Sequence, residues 1–361
     1  MLIESVGSET ALASMRGEWD DLLGRSSANG PFLRHAWLSR WWESFGDELD
    51  LNILTCREER GGSLLGVAPL YRRATKQRPR AFHSMCLMGD VGVGSVGLSA
   101  FAVPELEGDI FSLFRDHLLH DGVGWDVLDL RFMDSEQPFV RSVSTWRRAR
   151  IASSMRVCPV VALPADWEAY LGGLSKHMRH EVRRSLRRVA ERGLELEIVK
   201  DESDLPQAFE DFVCLHVSRM REKLGPDYDL AEPQKAFTLG AMTDLLAEGR
   251  LRLMFLRTEN RRIGVLYLFR YGDTMFAEQS GFDGGEAKQD VLRSLWAKAI
   301  EAAIDENCTA LNLLLGDQSY KYKWGVTSES KQASIRVYGD SLAASAARAR
   351  DAWRDLSPGR V

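Results

Sequence analysis

The sequence predicts an α/β protein made of two units. Its 361 residues exceed the roughly 100 to 200 residues that one hydrophobic core usually holds. A content of 45% hydrophobic and 27% charged residues is typical of a globular chain. Helix-like and strand-like segments also follow one another in a similar order in the two halves, so we expect two units of related plan.

The periodicity of the side chains predicts each element in turn. In the first half it predicts helices at 12–23 and 36–45, and strands at 51–56, 64–71 and 125–130. In the second half it predicts helices at 175–192, 206–224 and 290–306, and strands at 251–257, 262–270, 274–281 and 309–315. A basic segment gives way to an apolar run near 147–164, so we expect domains at 1–155 and 156–340 and a C-terminal helix and tail at 341–361.

Composition and charge narrow the class of protein. A net charge of −5 argues against a protein built mainly to bind nucleic acid, which is therefore not expected as a partner. Five cysteines lie far apart, in an odd number and without a CxxC pair, which fits neither a disulfide framework nor a zinc site. The N-terminal segment lacks the features of a signal peptide, and no apolar run is long enough to span a bilayer. We expect a cytoplasmic protein without a metal site, with peripheral contact at the inner face of the membrane left open.

A strand, a loop and a helix near the C-terminus could form a ligand site. The helix predicted to begin at Asp290 has one apolar face, and its first-turn amides would face the loop 284–289. Free amides and the helix dipole bind phosphates, so a nucleotide-type group could rest there. The alternative is an ordinary junction that binds nothing.

Four motifs resemble those of a known family. They are LHVSRM at 215–220, GRLRL at 249–253, QSGFD at 279–283 and GDQSYK at 316–321 followed by Trp324. In this order they resemble the GNAT acetyltransferase-like domain of the cellulose-biosynthesis-associated acetyltransferases and bacterial ceramide synthases, which are related to the Fem-type peptidyltransferases. The resemblance covers roughly residues 170–325, and residues 31–46 and 64–72 carry it more faintly.

This resemblance implies an α/β (α+β) fold of tandem GNAT-like domains, each a mixed, mostly antiparallel sheet flanked by helices. It also implies an acyltransferase that passes an acyl group directly from acyl-CoA to an amine. Such a transfer needs an unprotonated amine, a donor that polarises the thioester carbonyl and a group that reprotonates the thiolate. It requires neither a metal nor a covalent intermediate.

Four side chains are candidates for catalysis. His216 matches the histidine of the family's LHxxR motif and could accept a proton as a neutral imidazole, or could be a structural histidine. Asp317 and Lys321 follow the strand predicted at 309–315, where Asp317 could hold or deprotonate the amine and Lys321, or Tyr320 beside it, could protonate the thiolate. The alternative is that Asp317 caps a turn and Tyr320 only packs. Glu278 lies in mid-strand and is a further candidate base, ranked below His216.

Other residues are candidates for binding. Those for substrate are Arg219, Gln279, Tyr320 and Trp324. Those for the pyrophosphate of CoA are Lys288, Gln289, Val291 and Leu292. The family usually has a glycine-rich loop at this point, whereas this chain has Asp290, an acid that could repel phosphate.

Two predicted helices have more than one interpretation. The helix at 175–192 holds seven lysines or arginines and could meet CoA phosphates, an anionic lipid surface or tRNA, or could simply present a solvated face. Trp37, Trp41, Trp42 and Phe45 lie at helical spacing and belong either to the core or to an acyl-binding wall.

Three hypotheses for the function stay open. The first is an acyl-CoA-dependent N-acyltransferase that acts on the primary amine of a lipid, such as a sphingoid base, or of a sugar or amino-acid-derived acceptor. The second is Fem-like transfer from aminoacyl-tRNA, suggested by the basic helix but weakened because no long coiled-coil arm is apparent. The third is a GNAT-derived binding protein without catalysis, suggested by the missing pyrophosphate glycine.

Overall fold

The computed structural model describes residues 1–75, 81–120, 124–151, 155–283 and 288–356. The chain forms two compact units, here named unit 1 (Met1–Arg156 with Lys331–Val361) and unit 2 (Val157–Ser330). This division differs from the predicted domains in that residues 331–361 fall with the N-terminal part of the chain. The reason is strand pairing, because residues 332–338 pair with a strand at 127–134 in unit 1.

Unit 1 has an α/β composition with short connections. Its strands are β1 (Leu2–Val6), β2 (Leu49–Leu51), β3 (Ile53–Arg57), β4 (Leu64–Ala68), β5 (Leu70–Thr75), β6 (Phe82–Leu87), β7 (Phe101–Ala102), β8 (Val127–Asp134), β9 (Ala149–Ile151) and the greater part of β16 (Ser328–Tyr338). Its helices are α1 (Glu9–Ser14), α2 (Arg16–Arg25), α3 (His35–Phe45), α4 (Glu107–His120), α5 (Pro138–Ser144) and α12 (Leu342–Leu356).

The strands of unit 1 form an antiparallel group and a mixed group. The first has the order β1-β3-β4-β7, and the second follows the order β16-β8-β6-β5-β2 with β9 also paired to β16. In the mixed group β6 and β8 run parallel, whereas the other neighbours are antiparallel. Trp37, Trp41 and Trp42 of α3 are buried in the core, and the indole of Trp41 stacks on Phe45 at 5.9 Å.

Unit 2 contains one mixed sheet with helices on both faces. Its strands are β10 (Arg156–Ala162), β11 (Glu195–Ile198), β12 (Leu251–Arg257), β13 (Arg262–Tyr271), β14 (Thr274–Phe282) and β15 (Ala310–Asn312). Its helices are α6 (Trp167–Gly173), α7 (Lys176–Glu191), α8 (Leu205–Leu224), α9 (Glu232–Ala247), α10 (Lys288–Asp305) and α11 (Ser319–Tyr322). The order is β11-β12-β13-β14-β15-β10, and only the β14–β15 pair is parallel.

The two faces of this sheet pack against different helices. On one face, apolar residues of α7 and α10 such as Val182 and Leu295 share a core with Leu266 and Met275 of the sheet. On the other face, Phe212 of α8 meets the ring of Tyr267 edge-on at 6.1 Å. Side chains alternate between the faces of a strand, so β13 and β14 contribute to both layers. The predicted α/β fold of mixed sheets flanked by helices is confirmed.

Candidate active site of unit 2

The parallel strands β14 and β15 part within unit 2. They pair over three residues each, ending with Phe276 beside Asn312. Beyond this point β14 continues to Phe282 with β13 as its partner, whereas Leu313 donates its main-chain N–H to the carbonyl oxygen of Pro159 on β10. The second half of β14 thus loses β15 as a neighbour. Ligands of α/β sheets bind where neighbouring strands diverge in this way.

Glu278 lies at a β-bulge just beyond that parting. Tyr267 pairs with Gln279 and Leu268 with Ala277, so Glu278 is the extra residue on β14. Within the described part of the chain, neither its buried Oε2 nor the buried hydroxyl of Tyr267 has a hydrogen-bond partner. Burial raises the pKa of Glu278 to about 7. Burial, and then the charge of Glu278, raise the pKa of Tyr267.

A hydrogen-bonded group joins α8 to β14. The carbonyl oxygen of Ser280 accepts from Nδ1 of His216 at 3.3 Å and from Nη1 of Arg219 at 3.2 Å. Arg219 also donates to the hydroxyl of Ser280. The two elements meet at Gly281, where an added Cβ would lie 2.4 Å from the main-chain nitrogen of His216. Only glycine permits so close an approach of helix to strand.

The surroundings of His216 keep its ring neutral. The imidazole stacks on Phe212 at 5.7 Å and meets Tyr228 edge-on at 6.4 Å, and the residue is 7% exposed. Burial lowers the pKa of His216 more than the hydrogen bond to Ser280 raises it, and the charge of Arg219 lowers it further. Because Nδ1 donates to a carbonyl, the proton of the neutral ring lies on Nδ1 and Nε2 is the free acceptor nitrogen.

Lys321 holds the turn that follows β15. Its Nζ donates to the carbonyl oxygens of Leu314 and Leu315 at 3.0 and 2.9 Å, and the residue is 5% exposed. Leu314 and Gly316 have φ values of +52° and +120°, so this turn needs such support. Burial lowers the pKa of Lys321 to about 8, and the charge of Arg219 acts in the same direction.

The remaining candidates near this turn have different surroundings. Asp317 is exposed, and Tyr320 is 38% exposed. Trp324 is 4% exposed and packs in the core beside Trp296, with ring centres 6.2 Å apart. Its carbonyl oxygen accepts from the hydroxyl of Tyr170 at 2.9 Å. The indole of Trp324 therefore makes core contacts.

At the start of α10, Asp290 does not stand unpaired. Its carboxylate accepts from the Ser185 hydroxyl at 2.8 Å and from Arg188 at 3.2 Å, and Arg293 lies 3.7 Å away. Burial raises the pKa of Asp290, but these hydrogen bonds and the charges of Arg188 and Arg293 outweigh it and hold the pKa below its ordinary value. The acid thus joins α7 to α10 with its charge compensated, which removes the sequence-based argument that it would repel phosphate.

The cofactor-binding candidates lie at this same helix start. The loop 284–287 and the side chain of Lys288 lie outside the described residues. Gln289 is exposed, Leu292 is half-buried and Val291 is 3% exposed in the core beneath Gly264. Val291 therefore has only its main chain to offer a ligand, as first-turn amides of a helix lack intrahelical acceptors.

His216 and Arg219 thus meet β14 at the carbonyl oxygen of Ser280, two residues after Glu278 and one after Gln279, and Lys321 lies in electrostatic range of Arg219. Tyr267 joins this group although the sequence analysis did not propose it. Its only sequence signal is a polar tip within the apolar run 262–271, on the strand face that also carries Phe269.

Residues 176–322 match the family model described as Acetyltransferase (GNAT) domain. The chain carries a GNAT domain. The predicted resemblance to the GNAT superfamily is therefore confirmed, and the parting strands and the group around β14 all lie within the matched range. No curated protein matched the sequence.

Solved structures share the fold well beyond the GNAT domain. FemX matches with a TM-score of 0.62 at 10% identity, over 92% of this chain and 97% of that one. L-PGS from Bacillus licheniformis gives 0.53 at 12% identity, over 95% and 96%. A conserved protein of unknown function from Bacteroides thetaiotaomicron gives 0.58 at 9%, over 93% and 100%. At such low identity these matches show a shared fold.

Two further observations on the described residues concern membrane-spanning helices and metal sites. None of the helices in the described ranges has the length and apolar character needed to cross a membrane. Across the same ranges, no group of three or more His, Cys, Asp or Glu side chains is arranged to hold a metal ion.

Proposed function

We propose that the protein is an N-acyltransferase that moves an acyl group from acyl-CoA to the primary amine of a lipid, sugar or amino-acid-derived acceptor. One observation carries the proposal: Oε2 of Glu278, just beyond the point where β14 and β15 part, is buried and has no hydrogen-bond partner among the described residues. A base whose pKa lies near the working pH combines the correct protonation state with useful basicity. The pKa of Glu278, raised to about 7, meets that condition.

In the proposed reaction, Glu278 takes a proton from the ammonium of the acceptor. The free amine then attacks the thioester carbonyl, a C–N bond forms, and the C–S bond breaks to release the CoA thiolate. The neutral imidazole of His216 offers Nε2 as a second proton acceptor. Lys321, with its pKa lowered to about 8, is the proposed acid for the thiolate. Arg219, Gln279 and the exposed Asp317 and Tyr320 are proposed to bind substrate.

The N-terminus of α10 is suited to bind an anionic acyl donor. Free first-turn amides and the positive end of the helix dipole favour phosphate there. Arg188 and Arg293 compensate the charge of Asp290, and Arg188 keeps 48% of its side chain exposed. We propose that the amides from Lys288 to Leu292 meet the pyrophosphate of CoA.

Calorimetry and mass spectrometry test this proposal. Titration with CoA, acetyl-CoA and long-chain acyl-CoA should give binding and show which chain length is preferred. Mass spectrometry of amine acceptors mixed with acyl-CoA should show a product that Glu278→Gln abolishes and Glu259→Gln preserves, since Glu259 is exposed in a turn. If no acyl-CoA binds and no amine is acylated, the proposal fails.

A second candidate is transfer of an aminoacyl group from charged tRNA. It is favoured by the exposed basic side chains of α7, among them Lys176, Arg183 and Arg187, which could attract phosphates. The Fem-type resemblance suggests the same donor. Product formation that needs aminoacyl-tRNA and stops after RNase treatment would select this candidate, whereas product formation with acyl-CoA alone would exclude it.

A further inference from the structure

Unit 1 contains its own pair of parallel strands that part after a short paired stretch. β6 and β8 pair over three residues each, ending with Cys86 beside Asp129. Beyond that pair, β8 continues to Asp134 with β16 as its partner, and the chain after β6 enters a loop that contains Asp90. Unit 1 therefore repeats the plan of β14 and β15, with a buried acid beyond the last paired residues.

One face of this sheet in unit 1 carries polar side chains next to apolar ones. Tyr71 of β5 pairs with Cys86 of β6, which pairs in turn with Asp129 of β8, so these three side chains form a row. Because side chains alternate along a strand and β5 runs antiparallel to β8, Arg73 and Arg131 lie on the same face but on opposite sides of this row. Burying such a row of polar side chains costs free energy unless their polar atoms have hydrogen-bond partners.

Asp90 is only partly satisfied. Its Oδ1 accepts a hydrogen bond from the hydroxyl of Tyr71 at 2.7 Å. Its Oδ2 is buried and has no partner among the residues that the structure describes, and the residue is 3% exposed. Burial raises the pKa of Asp90 to about 6, although Tyr71 and nearby arginines oppose the shift. A buried carboxylate oxygen of this kind needs a donor.

Arg73 is a charged neighbour of Asp90. Asp129 accepts from Arg131 at 2.5 Å and from Arg336 at 3.2 Å, so it is fully engaged. Arg73 acts on the charge of Asp90, yet in the described ranges it forms neither a hydrogen bond nor an ion pair. The carboxylate of Asp90 and the guanidinium of Arg73 thus interact electrostatically without a direct bond between them.

We propose that the parting of β6 and β8 is a second ligand site, which binds a small zwitterion with its primary ammonium on Oδ2 of Asp90 and its anionic group on Arg73. A simple cation would leave Arg73 unpaired, and a simple anion would face the carboxylate of Asp90. Gly92 and Gly94, in the loop after Asp90, are exposed to solvent. All of these residues lie in unit 1, and the proposed acyl transfer uses none of them.

Binding of defined probes tests the site. L-alanine and O-phosphoethanolamine carry the ammonium beside a carboxylate or a phosphate, so their relative affinities identify the anionic group. N-acetyl-L-alanine lacks the ammonium and L-alaninamide lacks the carboxylate. By calorimetry on the full chain, we expect at least one zwitterion to bind and both truncated probes to bind about tenfold more weakly or not at all.

Matched variants locate the binding. Asp90→Asn and Arg73→Met should each weaken the zwitterion by about tenfold or more. Arg72→Met should not, because Arg72 lies on the opposite face and pairs with Asp50 at 2.9 Å. Glu278→Gln should also leave binding unchanged, which separates this site from the proposed active site.

Three results would overturn the proposal. The first is absence of binding by either zwitterion at millimolar concentration. The second is binding that Arg73→Met leaves intact, and this variant decides the matter even if Asp90→Asn fails to fold. The third is a crystal structure grown with the probes that shows only a water molecule on Oδ2 of Asp90.

Discussion

His216 donates a hydrogen bond from Nδ1 to the main-chain carbonyl oxygen of Ser280, at 3.3 Å. Ser280 follows Glu278 by two residues on β14, so this hydrogen bond fixes the position of the His216 ring relative to the strand that carries Glu278. It also fixes which ring nitrogen of His216 is free, since a neutral imidazole has one donor and one acceptor.

Substitutions of His216 should separate the structural role of its Nδ1 hydrogen bond from the proposed role of Nε2 as a proton acceptor. His216→Asn keeps a donor near the position of Nδ1 but removes Nε2, so the fold should persist while kcat falls by about 100-fold. Steady-state kinetics and thermal unfolding measure the two effects. Equal activity of His216→Asn and wild type would show that the histidine acts only through Ser280.

The pKa of Glu278 predicts how activity depends on pH. In the proposed mechanism kcat/KM should rise with pH and level off above an apparent pKa near 7, the value to which burial raises this carboxyl. Glu278→Gln should lower kcat by about 100-fold and remove that inflection. A wild-type profile without an inflection between pH 6 and 8, measured on either side of the value of about 7, would assign the base elsewhere.

The same carboxyl predicts a change in stability of definite sign. An acid whose pKa is raised from 4.5 to about 7 on folding holds its proton more tightly in the folded state. The free energy of unfolding should therefore fall as pH rises through that window. Glu278→Gln should be more stable than wild type at pH 8, by on the order of 2–3 kcal/mol, with the difference shrinking towards pH 4. Urea unfolding across this range measures it, and the opposite slope would contradict the assigned burial.

The carboxylate of Asp290 should stabilise the packing of α7 against α10. Asp290→Asn keeps a hydrogen-bond acceptor for Ser185 but loses the charge that pairs with Arg188 and Arg293, and we expect a loss of about 1–2 kcal/mol at pH 7. Because the folded pKa of Asp290 is depressed, this contribution is present above the unfolded pKa and is lost as pH falls through the folded one. Glu259→Gln, at an exposed position in a turn, is the control. Weaker binding of CoA to Asp290→Asn, measured by calorimetry, would contradict the purely structural role.

Gly281 should tolerate no side chain. A Cβ there would lie 2.4 Å from the main-chain carbon of Leu215, and main chain in a packed helix cannot move aside. Gly281→Ala should cost about 3 kcal/mol and separate His216 and Arg219 from β14. Gly172→Ala, with nothing within 4 Å of the added carbon, is the matched control. Equal urea midpoints for the two variants would contradict this account of the α8–β14 contact.

The local sequence pattern predicted most helices and strands of unit 2, but not the tertiary contacts around them. The strand predicted at 251–257 is β12 with the same bounds, and the helix at 206–224 is α8 to within one residue. The helix α9 was not predicted, because Pro233, Thr238 and Gly240 lower the helix propensity of that segment. The strand predicted at 309–315 ends at Asn312, since the chain then turns through Leu314 with positive φ.

Some features of the site had no local signal. In the sequence, Tyr267 looks like one more apolar residue of a buried strand. The structure shows that its hydroxyl is influenced by the charge of Glu278 and has no hydrogen-bond partner among the described residues. In the sequence, Asp290 looks like an acid that would repel phosphate. The structure shows that Ser185, Arg188 and Arg293 surround its carboxylate and compensate its charge. Each of these facts depends on residues far apart in the chain.

The sequence by itself determined the alternation of helices and strands and the GNAT motifs, because periodicity and motif spacing are local properties of a chain. Tertiary structure alone decided where β14 leaves β15, that a glycine lets α8 reach the strand, and that residues 331–361 belong with unit 1. These outcomes come from strand pairing, burial and charge compensation between distant segments. The protonation of Glu278, His216 and Asp290 depends on that same packing.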